Sequence, residues 1–123
     1  MSETPITMHF DETEIRGVLN DTDTARAFAD RLPVRIRVSG TGIDFCGPMP
    51  FALPYEQGQV GFGWTNGEIN YNPDGGWFAV LFDDQENSRR YGDQVNIGHV
   101  TSPLELLHEL SGSYEVLVEE AAK

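Results

Sequence analysis

The sequence predicts a mainly β fold, an antiparallel barrel or sandwich with two short helices over its open ends or faces. Three observations carry this. Short runs alternate apolar and polar residues with period two, Gly, Pro and Asn turn signals separate them, and only two stretches keep a helical period. At 123 residues the chain is long enough for one domain, residues 1–123, with a core that needs no disulfide or metal staple.

Taken in order, Thr7 to Phe10 and Thr13 to Leu19 read as two strands around the turn-like Asp11-Glu12, with Ile15 and Leu19 on one parity. The period then changes. Ala25, Phe28, Ala29 and Leu32 fall at i, i+3, i+4 and i+7, the stripe of an amphipathic helix of about three turns. Asp21 or Thr22 caps it, Asp23 complements its dipole and Pro33 ends it. Period two returns with Val34, Ile36 and Val38 on one face and Arg35, Arg37 and Ser39 on a wet one. From Gly40 to Gly58 the Gly and Pro density rises, with Pro48, Pro50 and Pro54 spaced through it, which predicts an ordered loop or broken edge segment.

Val60, Phe62 and Trp64 read as one strand face, Asn66-Gly67 as a type I′ hairpin turn, and Ile69 and Tyr71 as the return strand. Asn72-Pro73-Asp74-Gly75-Gly76 turns the chain into a strand from Trp77 to Phe82 that is apolar at all six positions. One parity fills a core and the other must be covered. A helix or the Pro-rich segment is the expected cover, and an open ligand groove is the alternative. A polar loop, Asp83 to Asp93, carries Arg89-Arg90 at its centre. Ser102-Pro103-Leu104-Glu105 reads as a capping box opening a short helix with Leu104, Leu106, Leu107 and Leu110, stopped by Ser111-Gly112. A final strand alternates Tyr114, Val116 and Val118.

Composition narrows the partners. Net charge is −12 with an isoelectric point near 4.4, so nucleic acid and anionic membranes are expected to be repelled. The longest apolar run is far too short to span a bilayer, and the N-terminal MSETPITMHF has no basic-then-apolar signal pattern, which points to a soluble cytoplasmic protein. Cys46 is the single cysteine, so no internal disulfide forms.

The order of parts resembles the small prokaryotic cyclophilin-like family. The resemblance runs from about Ile6 to Glu119: a short hairpin, the LNDTDTARAFADRLP helix, PYEQGQVGFGW followed by NGEINYNPDGGWFAVLF, then NIGHVTSPLELLHELSG and a terminal strand. Its most specific pieces are Leu19-Asn20-Asp21 leading into a helix that ends Leu32-Pro33, and the Ile97-Gly98 strand before the Leu-rich helix. The resemblance implies a closed antiparallel eight-stranded barrel with one or two short capping helices, a fold shared with prolyl isomerases, and a ligand groove on the outer face of one sheet. It does not imply isomerase activity, because one fold hosts many functions.

True cyclophilins place a catalytic arginine on a strand whose nearest echo here is Phe45-Cys46-Gly47-Pro48-Met49-Pro50-Phe51, and Gly47 stands where that arginine would be. The electrostatic stabilisation such a mechanism uses is missing at this position. No other catalytic, metal or cofactor constellation is visible. His9, His99 and His108 are far apart, Cys46 has no neighbouring base, and the glycines of Gly61 to Gly67 have neither phosphate-loop spacing nor a following helix.

The sequence therefore points to a noncatalytic module that binds a peptide or small ligand. Prolyl isomerase and a self-associating structural protein are the alternatives, and oligomeric state is left open. Candidate ligand residues are the aromatics Phe51, Tyr55, Tyr71, Trp77 and Phe82, with Trp77 foremost because it leaves a Gly-Gly turn at a strand end. Arg89 and Arg90 are candidates for holding an acidic group by bidentate contact.

Overall fold

The computed structural model describes residues 3–121. Its first element is the expected hairpin. Strands β1 (Thr4–Phe10) and β2 (Thr13–Leu19) pair antiparallel across a turn in which Asp11 takes a left-handed φ of 56°. Helix α1 follows as Asp23–Ala29, two turns rather than three. Thr22 is its cap, with its hydroxyl accepting from the Ala25 amide at 3.2 Å. Ala25 and Phe28 are fully buried, and Phe28 stacks on Phe78 at 5.8 Å.

Strand β3 (Val34–Gly40) buries Ile36 and Val38 and exposes Arg35 and Arg37, as its alternation predicts. The next segment departs from expectation. Asp44–Pro48 forms β4, an interior strand paired with β3 on one side and with β7 (Trp77–Leu81) on the other. Prolines dominate the local reading, yet Pro48 is the last strand residue, where a missing N–H costs least, and Pro50 and Pro54 lie beyond it.

The second departure concerns the predicted Val60-to-Tyr71 hairpin. Strands β5 (Val60–Phe62) and β6 (Glu68–Asn72) do not pair with each other, because both pair with β8 (Asp93–Val100). Gly63, at φ 80°, turns the chain sharply, so Trp64 is buried while Phe62 remains 65% exposed. Only Gly67 of the Asn66-Gly67 pair has positive φ, which excludes a type I′ turn. The β6–β7 hairpin forms as read, with Asn72 opposite Trp77 and Gly76 at φ 72° in the turn.

Helix α2 is a single turn, Glu105–His108. Ser102 does not cap it; its hydroxyl accepts from the Arg16 amide at 2.8 Å and ties the segment to β2. The last strand, β9 (Ser113–Glu120), lies between β1 and β3.

The strands run β2-β1-β9-β3-β4-β7-β6-β8, and β8 pairs back onto β2 to close an eight-stranded antiparallel barrel. One edge of β8 is shared. Residues 98–100 meet β2, and residues 93–95 meet the appended β5. A bulge at Ile97, where Ile69 faces Gly98 and Asn70 faces Asn96, precedes this change of partner.

The barrel interior is filled by Ile6, Met8, Phe10, Ile15, Ile36, Phe45, Phe78, Val116 and their neighbours. Phe28 of α1 reaches it near the start of β7, whereas His108 of α2 lies edge-on to Phe82, 4.8 Å away, just past the strand's end. The two helices thus cover opposite ends. Among the described residues no helix is long and apolar enough to cross a membrane.

Candidate functional site

The six-residue apolar run now has a direction. Phe78, Val80 and Phe82 belong to the barrel core, and Trp77, Ala79 and Leu81 face outward. The outward set is covered in part. Trp64, Ile43 and Cys46 pack on Ala79 and Leu81, leaving them 6% and 2% exposed, but Trp77 remains 42% exposed. The cover is therefore no helix; it is Trp64 together with Ile43 and Cys46, which belong to the Gly40–Gly58 segment. Beside it the outer face of β4 and β7 stays open as a groove of about 680 Å³.

Three loops wall this groove. Thr41 and Ile43 come from the β3–β4 turn with Asp44 at the start of β4, Asp74 from the β6–β7 turn with Asn72 at the end of β6, and Asp84, Tyr91 and Gly92 from the β7–β8 connection. That connection contains a 3₁₀ segment, Gln85–Arg90, held by Ser88. The Ser88 hydroxyl donates to the Gln85 carbonyl and accepts from the Trp64 amide, both at 2.8 Å. The Trp64 indole donates to the Asp83 carbonyl at 2.9 Å, and Tyr91 stacks on its ring at 5.3 Å. Two chain segments 24 residues apart thereby fix one aromatic wall.

Asn70, fully buried on β6 opposite Ala79, donates to the Gln94 side chain at 3.0 Å and to Glu68 at 3.1 Å. Asn96 in turn donates to the Asn70 side-chain oxygen Oδ1 at 3.0 Å. Satisfied buried amides orient Gln94, which lines the groove.

The first half of β4 carries the perturbed groups. Burial raises the pKa of the Asp44 carboxyl above its ordinary 3.8, and hydrogen bonds from Thr41 (2.5 Å) and Cys46 offset this in part. Cys46 is pushed up to about 11, by burial first and then by the negative charge of Asp44. A thiol so protonated at neutral pH is a poor nucleophile.

Of the candidate ligand residues, the structure brings only Trp77 to the groove. Phe82 is 3% exposed inside the barrel, and Tyr71 is buried with its hydroxyl accepting from the Leu53 amide at 3.3 Å. Tyr55 lies beside Tyr71 at 6.4 Å, and Phe51 packs on Phe28 beneath the Arg31 guanidinium, so these three aromatics gather along the Pro-rich segment instead. Arg89 lines a separate cavity of about 330 Å³ together with Glu68 and Glu86, and Arg90 lines neither cavity. Sequence reasoning did not single out Asp44, Asp84, Tyr91 or Gln94 as site residues. They come from distant segments, and no local pattern marks them.

Gly47 has a steric reason to be glycine. A Cβ there would overlap the Arg37 carbonyl oxygen of β3, so the position has no room for any side chain. His9 is spoken for as well, with Nε2 at 2.6 Å from Glu119 Oε2. Among the described residues no three His, Cys, Asp or Glu side chains are grouped to hold a metal ion.

Comparison with known proteins places this geometry. A family model described as "Cyclophilin-like family" matches residues 8–119. The solution structure of a hypothetical protein from Archaeoglobus fulgidus superposes with a TM-score of 0.78 at 21% identity, over 97% of this chain and 95% of that one. Among curated proteins none matches.

Proposed function

Since the chain belongs to the cyclophilin-like family, we propose that it is a noncatalytic binding module whose ligand occupies the groove over β4 and β7. The observation that carries this reading is the groove itself. A concavity of about 680 Å³ has an apolar floor and aromatic walls, with polar groups at its rim, on the outer face of a sheet, and the resemblance to cyclophilin-type barrels implies a ligand groove on such a face. The noncatalytic part rests on Gly47, since the strand position that echoes the isomerase arginine has no space for one.

The test is a titration of ¹⁵N-labelled protein with short Xaa-Pro peptides, acidic ones included, following the Trp64 and Trp77 indole signals and the cis/trans exchange of the peptide. Indole shifts without faster exchange are expected. Exchange accelerated by catalytic amounts of protein would overturn the noncatalytic reading. Silence of both indoles would remove these peptides as ligands and leave small molecules to be tried in the same groove.

A further inference from the structure

The groove is one-sided in charge. Asp44, Asp74 and Asp84 line it, and among the described residues no arginine or histidine does. An anionic ligand would meet only repulsion there, in a chain that already carries −12. A neutral apolar ligand would strip more water from Asp44 and offer no compensating charge. A cation answers both problems.

The aromatic lining points the same way. Trp64 and Tyr91 form a stacked pair, and Trp77 lines the same groove. Ring faces carry the negative end of the aromatic quadrupole, and tryptophan holds cations best. Carboxylates and ring faces together favour a positive head group, while Ile43, Ala79 and Leu81 offer an apolar bed for the rest of the molecule. The volume lies within the range of about 300–1,000 Å³ that single small molecules occupy.

Resting on the binding-module reading above, we infer that the groove takes a small organic cation, an ammonium-type head on an apolar body. The head lies among Asp44, Asp74, Asp84 and the aromatic faces. The Arg89–Arg90 step, whose chemistry suits acidic ligands, does not line this groove.

Three probes of one shape and different charge test this on the full chain: 3-phenylpropylammonium, 3-phenylpropan-1-ol and 3-phenylpropionate, titrated at low salt against the Trp64 and Trp77 indole signals. The ammonium should bind at least about tenfold more tightly than the alcohol, with the propionate weakest. Asp74 and Asp84 lie in surface loops, so the double variant Asp74→Asn, Asp84→Asn should fold; it should cut ammonium affinity and leave the alcohol unchanged. Trp77→Ala should weaken both. Equal binding of ammonium and alcohol, or a preference for the propionate, would overturn the cation inference while leaving the groove as a binding site. A charge preference that survives in the Asn variant would overturn the role given to those carboxylates. If none of the three probes moves either indole, the groove reading falls and the inference with it.

Discussion

Asp44 is the residue at which stability and the proposed function pull apart. Burial raises its folded pKa above 3.8, so folding makes ionisation costlier than it is in the unfolded chain. The stability linked to this group is fully present below its unfolded pKa and is lost as pH rises through the higher folded value. Asp44→Asn removes the titration and keeps an oxygen to accept from Thr41. Urea unfolding from pH 3 to pH 7 should show the variant gaining on the wild type as pH rises, with the difference levelling above the folded pKa. A difference that stays constant over this range would contradict the assignment. A carboxylate held at such a cost fits a site that awaits a positive partner. Little of this was legible in the sequence: Asp44 follows a Gly-containing turn like many surface aspartates, and only the fold buries it.

At the level of elements, local signals succeeded where their partners lie close in sequence. Thr22 caps α1 as read, and it is also tied to the preceding strand, since its hydroxyl donates to the Asn20 side chain at 2.7 Å, which in turn reaches Asn96 of β8. Thr22→Ala should therefore cost about 1 kcal/mol in unfolding free energy. A urea midpoint unchanged by the substitution would show that the cap is dispensable. The same local reasoning misassigned β5 and β6. Asn66-Gly67 is a strong hairpin signal between adjacent runs, but β8, some 30 residues downstream, offered both strands a longer partner. For Ser102 the competing acceptor role was more distant still, since the Arg16 amide lies 86 residues away. Capping-box spacing carries no information about such a rival.

For the whole molecule, closure of the barrel depends on places where backbones approach too closely for a Cβ. At Gly98 an added methyl would overlap the Val18 carbonyl oxygen across the β2–β8 seam, and at Gly47 the Arg37 carbonyl oxygen across β3–β4. Gly61 faces open space. Gly47→Ala and Gly98→Ala should each lower stability by about 1–3 kcal/mol, whereas Gly61→Ala should stay within about 0.5 kcal/mol. Thermal unfolding of the three variants distinguishes them, and equal midpoints would refute the steric account. Gly47 also gives the isomerase echo in the sequence a steric reading. The position that resembles the catalytic one is a packing contact.

By itself the sequence determined the class of fold, the β1–β2 and β6–β7 hairpins, the two helices and the acidic composition, and it put Trp77 foremost among the candidate aromatics. Each of these is written in neighbours a few residues apart, through period, turn chemistry or composition. Only the tertiary structure decided which face of β7 points inward, that β4 is an interior strand, that β5 leaves β6 for β8, and that Asp44, Trp64, Asp84 and Tyr91 share a groove with Trp77. The physical reason is that both faces of β7 are apolar. Hydrophobicity alone cannot orient such a strand, and what orients it is Trp64 and Ile43 covering Ala79 and Leu81 outside while Phe28 and Phe45 pack with its neighbours Phe78 and Phe82 within.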